Sequence, residues 1–345
     1  MRKRILLLLV VAAILAALIV VQIHQWRKFD WAVFREQTED VNWWLVAGAV
    51  VLIHAADALR GLRWAIFLRP VKRVSSLSLV APQFVGFSAL ALLGRPGELI
   101  RPYIIARRTG LTMSSQMAVW AVERLFDISA VACLFGTSML ISGTVRALPY
   151  YSALRNAGLV IIGVVVLGAA GALLIRKYGA RLSIWVEQKY GRRYPAATAR
   201  IRKRMLAFVD GLHTIHDWKS FVQIALLSLV IWGLVASSYR LVTNAYQQPL
   251  SDFGFAEVML LMFASIAGGV LQLPAVGGGS QLATIAVLMK VFGVVPELST
   301  SCGILLWLVT FMSVVPLGVV LAQREHVSFR QLVKEEEQAE IRAVG

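Results

Sequence analysis

Apolar runs of about 20 residues, the length that crosses a bilayer as a helix, recur along this chain at 5–21, 43–59, 115–141, 158–175, 221–239 and 301–322. A soluble core cannot bury that many such runs. With 58% of 345 positions hydrophobic and a mean hydropathy of +0.70, against roughly 45–50% apolar residues in soluble domains, the pattern specifies an all-α polytopic membrane protein. The formal charge of +16 points away from nucleic acid, because the basic residues lie between apolar runs as in cytoplasmic loops rather than on a basic face with stacking aromatics.

Two regions do not fit a simple span. Each of 77–108 and 255–292 is an apolar segment, a Gly/Pro break and a second segment, and each reads as a re-entrant helical hairpin. Met1-Arg2-Lys3-Arg4 before the first run, with no small-residue cleavage site after it, predicts a retained signal-anchor helix with its N-terminus inside. The positive-inside rule then places Arg60, Arg63, Arg69, Lys72 and Arg73, the basic segment 176–204 and the tail from 324 in the cytoplasm. The acidic stretch containing Asp30, Glu36, Glu39 and Asp40 falls outside. A full crossing by 77–93 would export Arg95, Arg101, Arg107 and Arg108 against this bias, whereas a hairpin keeps them inside. Hairpins entering from opposite faces predict an inverted repeat around a transporter-like site.

The expected organisation is one integral membrane domain, 1–345. It comprises a signal anchor and external amphipathic segment (1–42), a first half (43–175), a basic cytoplasmic linker (176–219), a second half (220–323) and a cytoplasmic tail (324–345). Within the linker, Ile201, Met205, Phe208, Val209 and Leu212 form the apolar side of a helix suited to an anionic leaflet surface.

Ionisable groups at membrane depth are costly and mark function. The first hairpin carries Gly94-Arg95-Pro96-Gly97-Glu98-Leu99-Ile100-Arg101. Arginine forks suit phosphate or carboxylate, so Arg95, Gly97, Glu98 and Arg101 are candidates for holding a lipid head group. The bland reading is mutual neutralisation of Glu98 and Arg101. Glu123, Arg124 and Asp127 interrupt the run 115–141; Glu123 and Asp127 share a helical face and make a proton site or an ion-pair cluster that touches Arg95 or Arg101. In the second hairpin, Gln272, Gly277, Gly278, Gly279, Ser280 and Gln281 surround a break whose freed backbone groups must face water, protein or ligand. Asp57 is placed to pair with Arg60. His213 and His216 lack the spacing of a zinc site, Cys133 and Cys302 lie inside apolar runs, and no nucleotide-binding or catalytic-triad motif occurs. No metal, cofactor or nucleic acid is expected.

Together the elements Arg-x-Gly-Glu-x-x-Arg at 95–101, Arg107-Arg108-Thr109-Gly110, and Glu-Arg-x-x-Asp at 123–127 resemble the lysylphosphatidylglycerol synthase transmembrane region, or flippase-like domain, over about 43–323. The resemblance implies a domain that moves aminoacylated phosphatidylglycerol between leaflets, with relatives linked to polyprenyl-lipid sugars or hopanoids. The 345 residues leave no room for the soluble aminoacyl-transferase domain of the fused enzymes, so a stand-alone membrane domain is expected. Where the family carries a glutamate after its second glycine loop, Gln281 stands nearby, which counts against a mechanism needing a carboxylate there.

The function expected is a lipid flippase of the bacterial inner membrane, multi-pass with both termini cytoplasmic. It moves an anionic or aminoacylated phospholipid or a polyprenyl-linked lipid. The alternatives are a membrane transferase acting on a lipid-linked substrate and a non-catalytic scaffold. A homo-oligomer and a cytosolic or membrane-bound biosynthetic partner fit any of these.

Overall fold

The computed structural model describes residues 30–141, 151–190, 195–212, 217–269, 272–273 and 277–324; the expected signal anchor, the tail beyond 324 and the His213/His216 pair lie outside them. The regular secondary structure of the described residues is helical apart from one two-residue antiparallel pairing.

Helix α1 (Trp31–Glu39) is capped by the Asp30 carboxylate, which accepts from the Ala32 and Val33 amides. Helix α2 (Trp43–Leu68) is capped in the same way by Asn42. The expected break at Leu59 does not occur. Arg60 and Arg63, assigned by charge to a cytoplasmic segment, continue the helix and are buried within it. The reason is local: Trp64-Ala65-Ile66-Phe67-Leu68 resumes the apolar pattern, and no Gly/Pro pair stops the chain before Pro70.

After a 3-10 turn (Leu77–Leu79), α3 (Val80–Leu93) ends at Gly94, whose φ of 73° and ψ of −151° suit a residue without a Cβ. A second 3-10 turn (Arg95–Leu99) leads into α4 (Ile100–Thr109), which stops at left-handed Gly110. Helix α3 has 14 residues, about 21 Å of rise, too short for a hydrocarbon core of about 30 Å. Its turn folds back on it: a Cβ at Gly97 would collide with the Ala89 carbonyl.

Beyond lie α5 (Met113–Ile141), α6 (Tyr151–Tyr190), α7 (Pro195–Leu212) and α8 (Trp218–Asn244). The second hairpin pairs α9 (Phe255–Gly268) with α10 (Gly279–Lys290), joined through β1 (Gln272–Leu273) and β2 (Gly277–Gly278). Its clasp is again glycine, with no room for a Cβ between Gly268 and the Gly279 carbonyl. Helix α11 (Pro296–Trp307) then passes through a π-helical turn (Leu308–Met312) into α12 (Val315–Arg324). Pro316 has no N–H to offer the turn before it, which accounts for the irregularity there.

The region assigned as a linker, 176–219, is largely helix. Helix α6 runs on to Tyr190, and its 40 residues make about 60 Å. Helix α7 forms as expected, but Val209 is buried against the backbone near Gly179, so this part of its apolar side faces protein. Ile201 is exposed.

Contacts fix the sense of the hairpins. Helices α2 and α8 are antiparallel along their length, with the Asn42 amide donating to the Ala245 carbonyl at one end and Arg69 to Gln223 at the other. The first hairpin starts where Val80 meets Gly61 and finishes where Lys72 donates to the Thr109 carbonyl, so both its ends lie at the Arg69 end. The second follows α8 at the Asn42 end and returns there, since α11 bonds to α1 through Thr38 and Ser301 and Tyr246 also meets Ser301. Each hairpin therefore enters and leaves at its own end. Three described helical stretches, Trp43–Leu68, Trp218–Asn244 and Pro296–Arg324, are long and apolar enough to cross a membrane.

Candidate functional site

The buried charges gather where α2, α4 and α5 meet. Arg63, fully enclosed, donates from Nη2 to Glu123 Oε1 at 2.7 Å and from Nη1 to Asp127 Oδ1 at 2.7 Å and Ser228 Oγ at 2.8 Å. Arg101 donates from Nη2 to Glu123 Oε2 and from Nη1 to Gln83 Oε1 at 2.9 Å. Its guanidinium lies over the Trp64 ring, 4.6 Å from the centroid. Arg124 Nη2 is 3.0 Å from Asp127 Oδ2, and Trp232 Nε1 donates to Asp127 Oδ1 at 2.9 Å.

Glu123 and Asp127, one helical turn apart, thus grip Arg63 from one face of α5, and Glu123 reaches across to Arg101 in the hairpin. This is the contact expected between the two motifs. Two arginines sharing one carboxylate in a dry site satisfy charges that are very costly to bury singly. Arg63 was missed as a member of the cluster because it was counted with the loop charges; a lone Arg followed by five apolar residues was the signal.

One turn away on α2, Arg60 Nη1 donates to Asp57 Oδ1 at 2.5 Å, the pairing expected from their spacing. Arg60 sits between the rings of Phe87 at 4.8 Å and Trp232 at 5.7 Å, and its Nε has no hydrogen-bond partner among the described residues. His54 turns instead to the Val50 carbonyl at 2.8 Å.

Above this pair opens a cavity of about 190 Å³. Asp57 and Arg60 line one side of it, Glu98 and Arg124 another, and Trp232, Tyr239, Ser265 and Thr310 complete the polar wall. Glu98 comes from the turn of the first hairpin, Ser265 and Gly269 from the inner end of the second, and Thr310 from the π turn. Beyond Glu98 and Arg124 lies a void of about 20 Å³ bounded also by Arg101 and Trp120, room for about one water.

Of the residues singled out by sequence, Glu98 and Arg124 face the cavity, Arg101, Glu123 and Asp127 form the ion-pair core beside it, and Gly97 shapes the turn. The Arg95 and Gln272 side chains lie outside the described residues, and Gly277 pairs with Leu273 in the two-residue strand pairing. Gly278 has a φ of 82°, Gly279 starts α10 against Gly268, Ser280 is buried with a hydroxyl lacking a partner among the described residues, and Gln281 is half-buried. The described cavity wall draws on the second hairpin through Ser265 and Gly269 rather than through Gly278 to Gln281. Asp57, Arg60, Tyr239, Ser265 and Thr310 were not foreseen there. Hydroxyl residues in apolar helices carry no spacing signal that separates a cavity wall from packing. Among the described residues no three metal-ligating side chains gather.

Comparison with known proteins identifies a membrane-protein family. A family model described as "Lysylphosphatidylglycerol synthase TM region" matches residues 5–318. A "UPF0104 membrane protein" of Methanothermobacter thermautotrophicus is 23% identical over 297 residues, 81% of this chain and 83% of that one. A protein named "Glycosyltransferase AglD" of Haloferax volcanii is 32% identical over 98 residues, which is 28% of this chain and 16% of that one. No solved structure matches the chain.

Proposed function

The chain belongs to the lysylphosphatidylglycerol synthase transmembrane-region family, a family of membrane proteins, and from that premise we propose that it moves lipid head groups between the leaflets of a bacterial inner membrane. The observation that carries the reading is the cavity at which two short hairpins, entering from opposite ends, bring Glu98, Ser265 and Gly269 to the Asp57–Arg60 pair and Arg124. Such meeting points of broken helices are where secondary transporters bind substrate. The head group occupies the cavity, the acyl or prenyl chains stay in lipid, and rocking of the halves alternates access.

In this mechanism Arg60 and Arg124 meet the head group, while Arg63, Arg101, Glu123 and Asp127 are the fixed brace that holds their helices. The Arg69 end, with Lys72, Arg73, Arg107 and Arg108, is cytoplasmic. The end with Asp30, Glu36, Glu39 and Glu297 faces out. The substrate is an anionic or aminoacylated phospholipid or a polyprenyl-linked lipid.

A second reading, a membrane transferase with Glu98 as base, draws on the 98-residue stretch shared with the protein named a glycosyltransferase. That stretch is a sixth of the other chain or less, so the translocase leads. The test is reconstitution of the purified protein in vesicles with fluorescently labelled lipids and a leaflet-accessibility assay. Faster exchange that Arg60→Ala abolishes supports the translocase. A protein that retains lipid and never changes its leaflet overturns it.

A further inference from the structure

Helix α6, at 40 residues, has about twice the length that a hydrocarbon core requires, and its surplus part has a composition of its own. Gly168 packs so closely on Leu125 that a Cβ there would strike it. The next residue of α5, Phe126, meets Phe67 and Phe221 at centroid distances of 6.1 and 5.6 Å. Those two rings lie within one turn of the Leu68 end of α2 and of the Trp218 start of α8. At Gly168 the helix has thus reached the Arg69 end of its neighbours. The stretch 169–190 that follows is about 33 Å long, as much as a whole hydrocarbon core.

One side of this stretch is covered. Helix α7 runs back along it, with Val209 at Gly179 and Arg202 Nη1 donating to Glu187 Oε2 at 2.6 Å, and Gly179 and Ser183 are buried on that side. The other side is bare. Leu174, Tyr178, Leu182 and Trp185, three or four residues apart and so on one face, are all exposed, with exposed Lys177, Arg181 and Lys189 among them. Lys189 Nζ lies 4.7 Å from the centroid of the Trp185 ring, and Lys177 Nζ 5.2 Å from that of Tyr178.

Continuity and charge together say what covers this face. By the helical period it is the face that exposes Leu159, Val160, Val166 and Leu167 in the run expected to cross the bilayer, and the helix is unbroken between the two. A lipid-facing side therefore passes directly into an aromatic and basic one. From 176 to 204 the chain carries ten Lys and Arg against Glu187 alone, which complements an anionic surface. Rings at head-group level, with Lys and Arg stems reaching past them to phosphates, are the chemistry of a helix in the membrane interface. Exposed Trp218, stacked on Phe221 at 5.2 Å, puts a further ring at the same end.

We infer that the far part of α6, with α7 on its back, lies along the anionic lipid head groups at the Arg69 end instead of standing in water. Tyr178, Leu182 and Trp185 enter the interface, and Lys177, Arg181 and Lys189 meet lipid phosphates. The leaflet-facing surface expected of α7 is supplied by its partner helix, because Val209 packs on α6. The ligand is the surface of an anionic bilayer, and the attraction is electrostatic and weakened by salt. The inference needs the bilayer and not the translocase, and it stands whether or not lipid crosses at the cavity.

The experiment places a fluorescent label on Leu182→Cys in the full-length protein, with Cys133 and Cys302 replaced by alanine. The protein is held in nanodiscs of phosphatidylcholine alone or with a third of the lipid phosphatidylglycerol. Two quenchers are compared, a lipid with a nitroxide on its head group and a neutral nitroxide in the water. The expected result is that the nitroxide lipid quenches the label about twofold or more better in the anionic discs than in the neutral ones. The difference should vanish in 1 M salt, where the Debye length is about 3 Å, and in the triple variant Lys177→Gln, Arg181→Gln, Lys189→Gln. A label on Leu167→Cys, quenched by nitroxides on the acyl chains equally in every case, shows that the triple variant keeps its fold. Equal quenching by the nitroxide lipid in both kinds of disc, or a difference that the triple variant retains, overturns the inference. A label at 182 that only the dissolved nitroxide reaches, in both kinds of disc, also overturns it, and assigns the face to an acidic protein partner instead.

Discussion

Glu123 is ion-paired with three arginines, Arg63 and Arg101 closely and Arg124 at 3.5 Å, and this sets the effect of single substitutions in the core. Removing its carboxylate leaves Arg63 with Asp127 and Ser228 but strips Arg101 of the one carboxylate it is paired with among the described residues. Breaking a buried pair by deleting one partner costs about 3–5 kcal/mol. Glu123→Ala should therefore destabilise the detergent-solubilised protein by about that much, read as a fall in its denaturation midpoint; an unchanged midpoint would mean that the cluster is not dry. Arg60→Ala differs, because Arg60 lines the cavity and has one acidic partner among the described residues, Asp57. It should reduce lipid exchange by tenfold or more, about 1.4 kcal/mol, with a smaller loss of stability than Glu123→Ala. The two motifs that form the core were legible because Arg101, Glu123 and Asp127 stand out against apolar neighbours at helical spacing. Arg63 was not, because charge near the end of a presumed span looks the same whether the helix stops or goes on; Asp57 was legible as the partner of Arg60 but not as part of the cavity wall.

At the scale of the element, the hairpins were legible from their interruptions. Gly94, Gly97 and Pro96 in one, and the glycines from 277 to 279 in the other, announce a turn in an otherwise apolar run. What the sequence concealed was the continuation of α6 to Tyr190 and the docking of α7, since a polar helix and a polar linker share a composition and only packing on Gly179 separates them. The turn geometry yields a sharp expectation. A Cβ at Gly97 would strike backbone atoms of Ala89 and Leu90, which cannot swing aside as a side chain can, so Gly97→Val must push the turn off α3 and displace Glu98 from the cavity. Lipid exchange should fall at least tenfold, as for Arg60→Ala; exchange at the wild-type rate would show that Glu98 need not be held there. Helix α8 starts with a cap of a different kind. The Asp217 carboxylate accepts from Ser220, and that bond holds its pKa below the usual carboxylate value. A carboxylate with a lowered folded-state pKa contributes stability above its unfolded value, about 4, and loses the contribution as the pH falls through the folded one. Asp217→Ala should thus lower the melting temperature slightly at neutral pH, and the gap between the two proteins should close on acidification.

For the whole molecule, the consequential property is that the two hairpins face opposite ways. Contacts tie both ends of the first to the Arg69 end and both ends of the second to the Asn42 end. The charges divide along the same line: Lys72, Arg73, Arg107 and Arg108 lie at the first, and Asp30, Glu36, Glu39 and Asp40 at the second, where Arg35 is paired with Glu39 at 2.7 Å. A bilayer holding the protein by the positive-inside rule has the first end in the cytoplasm. Exposed Leu77 and Arg107 bracket the first hairpin, and exposed Gln247 and Val295 bracket the second. After replacement of exposed Cys133 and buried Cys302 by alanine, single cysteines at these four positions should divide into two pairs. Those at 77 and 107 should react with an impermeant maleimide only in inverted vesicles, and those at 247 and 295 only in right-side-out ones. If 77 and 107 label from opposite sides, the first hairpin crosses the membrane, Glu98 no longer meets Ser265 and Gly269 from the opposite direction, and alternating access at this cavity loses its structural basis. If the pairs divide as expected but with the sides exchanged, the hairpins stand and only the direction of the protein in the membrane is reversed.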